Sequence, residues 1–311
     1  MHYMEVALSQ SRFDVCHYAF RESLIRGLKG LLLSEYYILA TWKMLFFVVP
    51  FVVLKKSKFL VVLHGNELLN LGWLSVKIIK YIAKNKRFKF VANSKAIAAI
   101  FEDLSGHKVD FIQYPFGEFE GRGYQDINRG DLKLVTVSRL VPRKNVENVI
   151  RALALLKKDG VNFSYDIIGE GPCFHSIMKL VKSNGLDKNV YLHGFVDDTT
   201  KNSILNGSDY FILPSLFDSE AGSIEGFGIV YLEANYFGLP VLSGNTGGIT
   251  EAVVDGVTGL HCDGSVQHIL EKLKELFDTK FDKEYLVQYA ERFDYRKQNG
   301  FIGFLKGWFH E

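Results

Sequence analysis

Short apolar runs alternate with helix-period segments over the second half of the chain. The runs that predict strands are Leu132–Val137, Tyr165–Ile168, Val190–His193, Tyr210–Leu213 and Pro240–Leu242. Helical patterns over Val146–Lys157 and Phe174–Ser183 follow the first two runs. This alternation predicts a parallel sheet with right-handed crossovers, and hence an α/β protein. Ligands of such sheets bind outside the carboxyl ends of the strands, so the loops after the strands should carry the chemistry.

The first half of the chain has a different pattern. Phe59–Leu63 is a short apolar run that is typical of a buried strand. The most apolar stretch is Tyr36–Leu54, which is interrupted by Lys43 and Pro50. Its summed free energy of membrane insertion is near zero, because the lysine offsets the apolar residues. Three interpretations therefore stay open: a helix packed in a core, a helix docked on a membrane surface, and a membrane-spanning helix.

Charge and glycine are divided between the two halves. The net charge of +2 conceals 16 basic against 10 acidic residues in 1–120, and 21 against 25 in the remainder. Only 6 of the 28 glycines lie in that first part. A chain of 311 residues predicts two domains that each bury a core. With 48% hydrophobic and 23% charged residues, the composition excludes a disordered chain.

Two further features bear on location and partners. Cysteines occur only at Cys16, Cys173 and Cys262, which excludes a disulfide scaffold and a cysteine-based zinc site and favours a cytoplasmic protein. Basic residues occupy the segment between Glu67 and Glu102 without any acidic residue. A solvated helix face and a contact with anionic lipid explain this segment equally well. Nucleic acid is not an expected partner, because no base-stacking module or helix-turn-helix spacing accompanies the charge.

The loop after the first predicted strand is basic, and the next two loops are rich in glycine. Arg139 and Lys144 could grip a diphosphate, the arginine as a fork and the lysine as a point charge. Gly169 begins a tight turn after the second strand, and Gly194–Val196 follows the third. Glycine lets the ring of a ligand approach the backbone. Each of these loops, taken alone, is more often an ordinary turn.

The segment from Glu225 to Glu233 is the most informative. Glu225 precedes a predicted helix start, at which the amides of Phe227, Gly228 and Ile229 are expected to have no partner within the helix, and such a start binds phosphate or carboxylate. The two glutamates lie about 12 Å apart along a helix, too far to share one metal ion or one proton. They can instead hold opposite ends of an elongated ligand with phosphates between them. A nucleotide-sugar has that shape.

In chain order these loops resemble the nucleotide-sugar-binding half of GT-B glycosyltransferases, specifically glycosyltransferase family 4. The resemblance covers 131–264 and rests on the matched motifs Ser138-Arg139, Lys144-Asn145, Gly169–Pro172, Gly194-Phe195, Pro214-Ser215, Glu225 with Glu233, Pro240, Gly247-Gly248 and Asp255–Gly259. It implies a GT-B fold, in which two Rossmann-like domains face a central cleft. The implied organisation has an acceptor-side domain over 1–118, a linker over 119–130, a nucleotide-sugar domain over 131–290, and a closing helix over 291–311 that packs back toward the first domain.

The resemblance also implies roles for site residues. Retaining transfer from a UDP- or GDP-sugar would need no catalytic metal and no other cofactor. Arg139 and Lys144 would stabilise the leaving diphosphate, while Glu225 would contact the donor sugar. The catalytic set is completed by His64, because the loop Leu63–Glu67 resembles the family's histidine-bearing loop. His64 would hydrogen-bond the sugar or assist the acceptor, although a packed polar residue at a strand end is the alternative.

Further residues are implied in binding the nucleotide. Glu233 would hold the ribose hydroxyls, and the amides of Phe227, Gly228 and Ile229 would bind the sugar or the phosphates. Phe195 and Val196 would flank the base through backbone contacts, next to the turn at Gly169.

The start of the chain departs from the family pattern. Family members open with a strand and a glycine-rich loop, whereas only Gly27 and Gly30 precede Leu63 here. The first domain is therefore expected to be reduced, unless the true start lies upstream.

The expected function is a retaining glycosyltransferase of bacterial surface polysaccharide biosynthesis, for lipopolysaccharide O-antigen, capsule or exopolysaccharide. It would act on a glycan or lipid-linked acceptor at the inner face of the cytoplasmic membrane, with peripheral contact to anionic lipid. The alternative is a donor-binding but catalytically impaired remnant or regulatory subunit, motivated by the missing opening loop. A phosphorylase or sugar-nucleotide epimerase is less favoured, because no cofactor-lysine context is found.

Overall fold

The chain divides into two compact units. The computed structural model describes residues 35–45, 57–119, 132–297 and 299–310. The first unit comprises Met1–Phe116 and Tyr295–Glu311, and the second comprises Gly117–Asp294. Each unit contains its own parallel sheet.

The first unit is built on four described strands. These are β1 (Tyr36–Leu39), β2 (Lys58–Leu63), β3 (Phe88–Ala92) and β4 (Phe111–Ile112), and they lie side by side in that order. The helices that follow β2 and β3 are α1 (Trp73–Ala83) and α2 (Lys95–Ser105). The hydroxyl of Ser94 accepts a hydrogen bond from the Ile97 amide and so caps α2.

The expected helix over 36–54 is wrong for the part that is described. Tyr36–Leu39 is the strand β1, which pairs in parallel with β2, and Trp42–Met44 is a single 3₁₀ turn. Along β1, half-buried and buried residues alternate with the period of a strand. All four residues are apolar, so this alternation is invisible in the sequence. Residues 46–56 lie outside the described part of the chain.

The last helix packs on the first sheet. Helix α10 (Asn299–His310) buries Phe301, Leu305 and Trp308 against apolar residues of β2 and β3. Its far end is tied to β1, because the hydroxyl of Tyr36 donates a hydrogen bond to the Phe309 carbonyl oxygen at 2.9 Å. The first unit therefore contains chain from both ends of the sequence.

The second unit is built on six strands. They are β5 (Leu132–Val137), β6 (Phe163–Ile168), β7 (Val190–Gly194), β8 (Tyr210–Leu213), β9 (Val241–Gly244) and β10 (Gly259–Cys262), and their order across the sheet is β10-β9-β8-β5-β6-β7. The chain runs outward from β5 through β6 to β7, then returns to β8 on the other side of β5. The loops after β5 and β8 therefore diverge at the point where the strand order reverses, which is where open α/β sheets bind ligands.

In the described part of this unit, seven α-helices accompany the sheet. They are α3 (Val146–Lys158), α4 (Phe174–Ser183), α5 (Asp198–Asn206), α6 (Ile229–Tyr236), α7 (Ile249–Ala252), α8 (Val266–Asp278) and α9 (Lys283–Glu291). Apolar residues of α3, α4 and α8 form one continuous core with the strands. Among the helices of the described ranges, none has both the length and the apolar character needed to cross a bilayer.

Candidate functional site

A basic turn follows the central strand β5. Pro142 fixes the start of a 3₁₀ turn over Pro142–Lys144, and Asn145 ends the turn in the left-handed region with φ of 60°. The Asn145 side chain donates a hydrogen bond to the Gly264 carbonyl oxygen at 2.8 Å. The turn is thus anchored to the loop after β10, with its two basic side chains next to the neighbouring strand end.

Glu225 meets the two cations of this turn. The carboxylate accepts a hydrogen bond from Arg143 Nη1 at 2.6 Å and another from Lys144 Nζ. The three side chains are only 17%, 9% and 14% exposed for Arg143, Lys144 and Glu225 respectively. Two cations therefore share one carboxylate, and the cluster carries one formal positive charge in excess at the switch point of the sheet.

The cluster perturbs the protonation of its members. Burial alone would raise the pKa of the Glu225 carboxyl, but Lys144 and Arg143 together outweigh burial and hold that pKa below its ordinary value. Burial lowers the pKa of Lys144, and the attraction of Glu225 offsets this only in part. Glu225 is therefore ionised at neutral pH, where it acts as a hydrogen-bond acceptor.

Glycines fix the backbone around Glu225. The Gly248 amide donates a hydrogen bond to the Glu225 carbonyl oxygen at 3.0 Å. A Cβ atom at Gly248 would lie 2.0 Å from the Gly226 carbonyl oxygen, so only glycine permits this approach of the β9 loop. Gly228 then begins α6 with φ of 92°. The amides of Phe227, Gly228 and Ile229 lie two to four residues after Glu225 along the chain, and the Phe227 side chain packs in the core at 1% exposure.

Glu233 has a different environment from Glu225. It lies on α6 with about a third of its side chain exposed (32%), and its carboxylate is 3.7 Å from Lys201 Nζ on α5. Burial raises the pKa of Glu233, against the opposing effect of Lys201. Lys201 also pairs with Asp198 at 3.0 Å. The two glutamates thus have separate basic partners. Their predicted separation along one helix stays a prediction, and Glu225 itself precedes α6, which begins at Ile229.

The other predicted residues of the second unit lie at strand ends. Arg139 is exposed to solvent, and Phe195 is 82% exposed after β7, with Val196 half-buried beside it. A Cβ atom at Gly169 would lie 1.9 Å from the Ser138 carbonyl oxygen. This glycine therefore brings the loops after β5 and β6 into contact. Its expected contact with a ligand ring stays a prediction.

His64 belongs to the first unit. It follows β2, its side chain is exposed, and its amide donates a hydrogen bond to the Glu67 carboxylate at 2.6 Å. The Glu67 carbonyl oxygen in turn accepts a hydrogen bond from Trp42 Nε1 at 2.8 Å. The loop is thus held by its backbone and by Glu67, which leaves the imidazole at the surface. Its role toward sugar or acceptor stays a prediction.

Two basic residues of the site, Arg143 and Lys201, were not predicted from the sequence. Arg143 is adjacent to Lys144, and neighbours on an α-helix point in different directions; the 3₁₀ turn nevertheless brings both to Glu225. The signal was Pro142, which marks a tight turn directly before two cations. Lys201 gave no signal in the sequence, because its partner Glu233 is 32 residues away along the chain.

Comparison with solved structures defines the class of fold. The Anabaena protein HepE, crystallised in complex with UDP and glucose, superposes with a TM-score of 0.71 at 18% identity over 91% of this chain and 81% of that chain. Likeness at this identity establishes the fold and no more. The predicted α/β, GT-B fold with two Rossmann-like domains is confirmed, whereas the expected shortening of the first domain stays a prediction.

A family model identifies the chain further. The model of glycosyl transferases group 1 matches residues 120–293, more than half of the 311-residue chain. The protein therefore belongs to the glycosyl transferases group 1 family of transferase enzymes. The narrower assignment to family 4 stays a prediction.

Two curated glycosyltransferases are similar to this chain in sequence. A GDP-mannose-dependent alpha-(1-6)-phosphatidylinositol monomannoside mannosyltransferase of Mycolicibacterium smegmatis is 29% identical over 217 residues, which are 65% of this chain and 56% of that protein. The amylovoran biosynthesis glycosyltransferase AmsK of Erwinia amylovora is 32% identical over 152 residues, 49% of this chain and 37% of that protein. The matched regions thus span about half of the first relative and less of the second.

Proposed function

We propose that the protein is a retaining glycosyltransferase of the family 4 type. It transfers a sugar from a UDP- or GDP-sugar to a glycan or lipid-linked acceptor in bacterial surface polysaccharide biosynthesis. It works at the inner face of the cytoplasmic membrane, in peripheral contact with anionic lipid. The names of the two relatives support this reading, since one acts on a phosphatidylinositol mannoside and the other serves amylovoran biosynthesis.

The observation that carries the proposal is the Arg143–Lys144–Glu225 cluster at the reversal of strand order. In the transfer, the bond between the anomeric carbon and the diphosphate breaks, and negative charge develops on the diphosphate. An acceptor hydroxyl oxygen forms the new bond to that carbon, and its proton passes to the departing diphosphate. Preformed positive charge in a partly buried site is the largest contribution that a protein makes to such a step.

Within the cluster, the three residues have different tasks. Lys144 turns toward the diphosphate when the donor binds, and Arg139, which is exposed on the same loop, joins it. Arg143 keeps its bond to Glu225 and so holds the carboxylate in place. The ionised Glu225 accepts hydrogen bonds from hydroxyls of the donor sugar. Because protein cations neutralise the diphosphate, we expect turnover without a divalent metal and without another cofactor.

The nucleotide lies along the strand ends beyond this cluster. The amides at the start of α6, from Phe227 to Ile229, bind the sugar or the phosphates. Glu233 accepts hydrogen bonds from the ribose hydroxyls, and Lys201 lies beside its carboxylate. The backbone at Phe195 and Val196 flanks the base. Backbone contacts distinguish bases weakly, so the choice between UDP and GDP has to be measured.

The test is an assay of sugar transfer from UDP- and GDP-sugars in chelator. Release of nucleoside diphosphate with an extracted lipid fraction or oligosaccharide as acceptor is measured, and NMR gives the anomeric configuration of the product. Turnover in chelator with retained configuration supports the proposal. An inverted product would contradict retention, and a strict metal requirement would contradict the role of Lys144. Donor binding without turnover for every acceptor would favour the impaired remnant instead.

A further inference from the structure

One face of helix α1 is open to solvent and carries aromatic and basic side chains. Its exposed residues, which we call the α1 surface, are Trp73, Leu74, Lys77, Lys80, Tyr81 and Lys84. At about 100° per residue they fall within a stripe of about 120° on a helix about 16 Å long. The opposite face buries Ile79 and Ile82 and packs against α2 and β3. The helix is therefore fixed with this stripe outward.

The exposure of the apolar side chains requires an explanation. Trp73, Leu74 and Tyr81 are 70%, 57% and 74% exposed, whereas Trp42 and Trp308 are each 2% exposed. A folded chain normally buries tryptophan, and large exposed apolar side chains grouped together mark an interaction surface. Three such residues on one helix of eleven residues form a group rather than scattered single positions.

The charges around these rings have one sign. The three exposed lysines of the stripe stand in a segment without any acidic residue between Glu67 and Glu102. Lys77 Nζ lies 4.7 Å from the centroid of the Trp73 ring, so the ammonium group and the ring form a cation–π contact at the surface. Lys89, which lies on β3 outside the stripe, has an acidic partner in Asp110 at 3.1 Å.

We propose that the α1 surface docks on the face of an anionic lipid bilayer. Tryptophan and tyrosine prefer the depth of the lipid headgroups, where one side of the ring is apolar and the other is wet. Lysine stems extend along the apolar surface while their charges reach the phosphates. The helix would lie in the plane of the membrane with its lysines over anionic headgroups. This inference specifies the membrane contact of the proposed function, but it does not depend on sugar transfer.

Trp73 reports on the docking directly. The other two tryptophans of the chain are buried, so a change in fluorescence on adding vesicles comes from Trp73. We expect a blue shift and protection from an aqueous quencher with vesicles of phosphatidylcholine and phosphatidylglycerol. Vesicles of phosphatidylcholine alone should give neither. The Trp73→Phe variant should still bind the anionic vesicles but lose the spectral change.

Charge variants measure the contribution of the lysines. The triple variant K77Q/K80Q/K84Q should partition into anionic vesicles on the order of 100-fold more weakly, since each basic residue near the surface contributes about fivefold. The matched control K158Q/K179Q/K182Q removes the same charge from exposed positions of the second unit and should bind like the wild type. The double variant W73S/Y81S should also bind more weakly.

Three results would overturn the docking proposal. They are an unchanged Trp73 spectrum with anionic vesicles, equal binding of K77Q/K80Q/K84Q and the wild type, and equal binding to neutral and anionic vesicles. If nucleic acid or an acidic protein, but no vesicle, binds through these lysines, the lipid is likewise rejected. Thermal shifts with UDP and GDP are recorded for each variant. A retained nucleotide shift shows that the variant is folded and that a failure of docking leaves the donor site intact.

Discussion

At the scale of single residues, the site is governed by the balance of charge around Glu225. Buried Lys144 and partly buried Arg143 face one carboxylate, which leaves one positive charge that is not neutralised within the cluster. Removing one member of a buried ion pair costs more than the pair itself contributes, because the remaining charge stays desolvated. A substitution in the cluster is therefore expected to affect both ligand binding and the stability of the second unit.

Replacing Glu225 by glutamine should affect activity and stability together. We expect Glu225→Gln to lower kcat/KM at least about 100-fold, since the neutral amide no longer balances Arg143 and Lys144 or accepts hydrogen bonds as a carboxylate does. The free energy of unfolding should fall by about 1–3 kcal/mol. The matched control Glu147→Gln breaks an exposed ion pair with Arg151 and should cost less than about 0.5 kcal/mol. Wild-type turnover in Glu225→Gln would remove Glu225 from the mechanism.

Arg143 should tune the pH dependence of turnover. The pKa of Glu225 is held low by Lys144 and Arg143, so the loss of one cation raises it. Ionised Glu225 is present above its pKa and lost as the pH falls, and so the acidic limb of kcat/KM against pH should move to higher pH in Arg143→Met. The variant Arg151→Met, which removes an exposed arginine on α3, should leave the limb in place. An unmoved limb in Arg143→Met would show that Glu225 does not set it.

The residues of the site were predictable only in part. Lys144 and Glu225 stand out because one ends a basic strand–helix loop and the other precedes a helix start. The role of Arg143 depends on a 3₁₀ turn that ends at left-handed Asn145; Pro142 marks the turn, but the contact with Glu225, 82 residues further along the chain, is not encoded locally. Pairing between α5 and α6, as in Lys201 with Glu233, depends on which helices the sheet brings together.

At the scale of elements, the loops after the strands pack backbone against backbone. A Cβ atom at Gly244, the last residue of β9, would lie 1.9 Å from the Ser215 carbonyl oxygen after β8. Glycine at this position is therefore a condition for the strand ends to meet around the site. At Gly169 too, a neighbouring loop occupies the space that a Cβ atom would need, and contact of that turn with a ligand ring stays a prediction.

A glycine pair tests this close packing. Gly244→Ala should lower the free energy of unfolding by about 1–3 kcal/mol, because the added methyl group forces the two strand ends apart. Gly303→Ala, at an exposed helical position of α10 with open space around it, should raise that free energy by about 0.5–1 kcal/mol. Urea unfolding followed by circular dichroism measures both changes. Equal stability of Gly244→Ala and the wild type would show that the β8 and β9 ends are not in contact.

The elements themselves were predicted unequally. Five of the six described strands of the second unit and helices α3 and α4 are found close to the predicted positions, because short apolar runs alternate there with helix-period segments. Strand β10 was not predicted. Strand β1 was missed because its four apolar residues were taken together with the longer apolar stretch that follows them as one helix. Its pairing with β2 makes it a strand, and that contact is not local in sequence.

At the scale of the whole molecule, the two units differ in charge and in the surfaces that they carry. The acidic, glycine-rich second unit carries the switch-point cluster and the matched family region. The basic first unit carries the α1 surface. The fold class and the family were recognisable from the second unit, because its motifs follow one another in the order typical of the family. The first unit has no such ordered set of motifs, so its contacts with acceptor and membrane have to be measured.

The central claim is that the switch-point cluster binds the diphosphate of a nucleotide, and calorimetric titration with UDP and GDP in chelator tests it most directly. We expect at least one of the two nucleotides to bind the wild type at a single site. Lys144→Met should weaken this binding at least about tenfold, while Lys158→Met, on the exposed end of α3, should leave it unchanged. Absence of binding for both nucleotides, or equal affinity in Lys144→Met and the wild type, would show that the cluster does not bind the diphosphate.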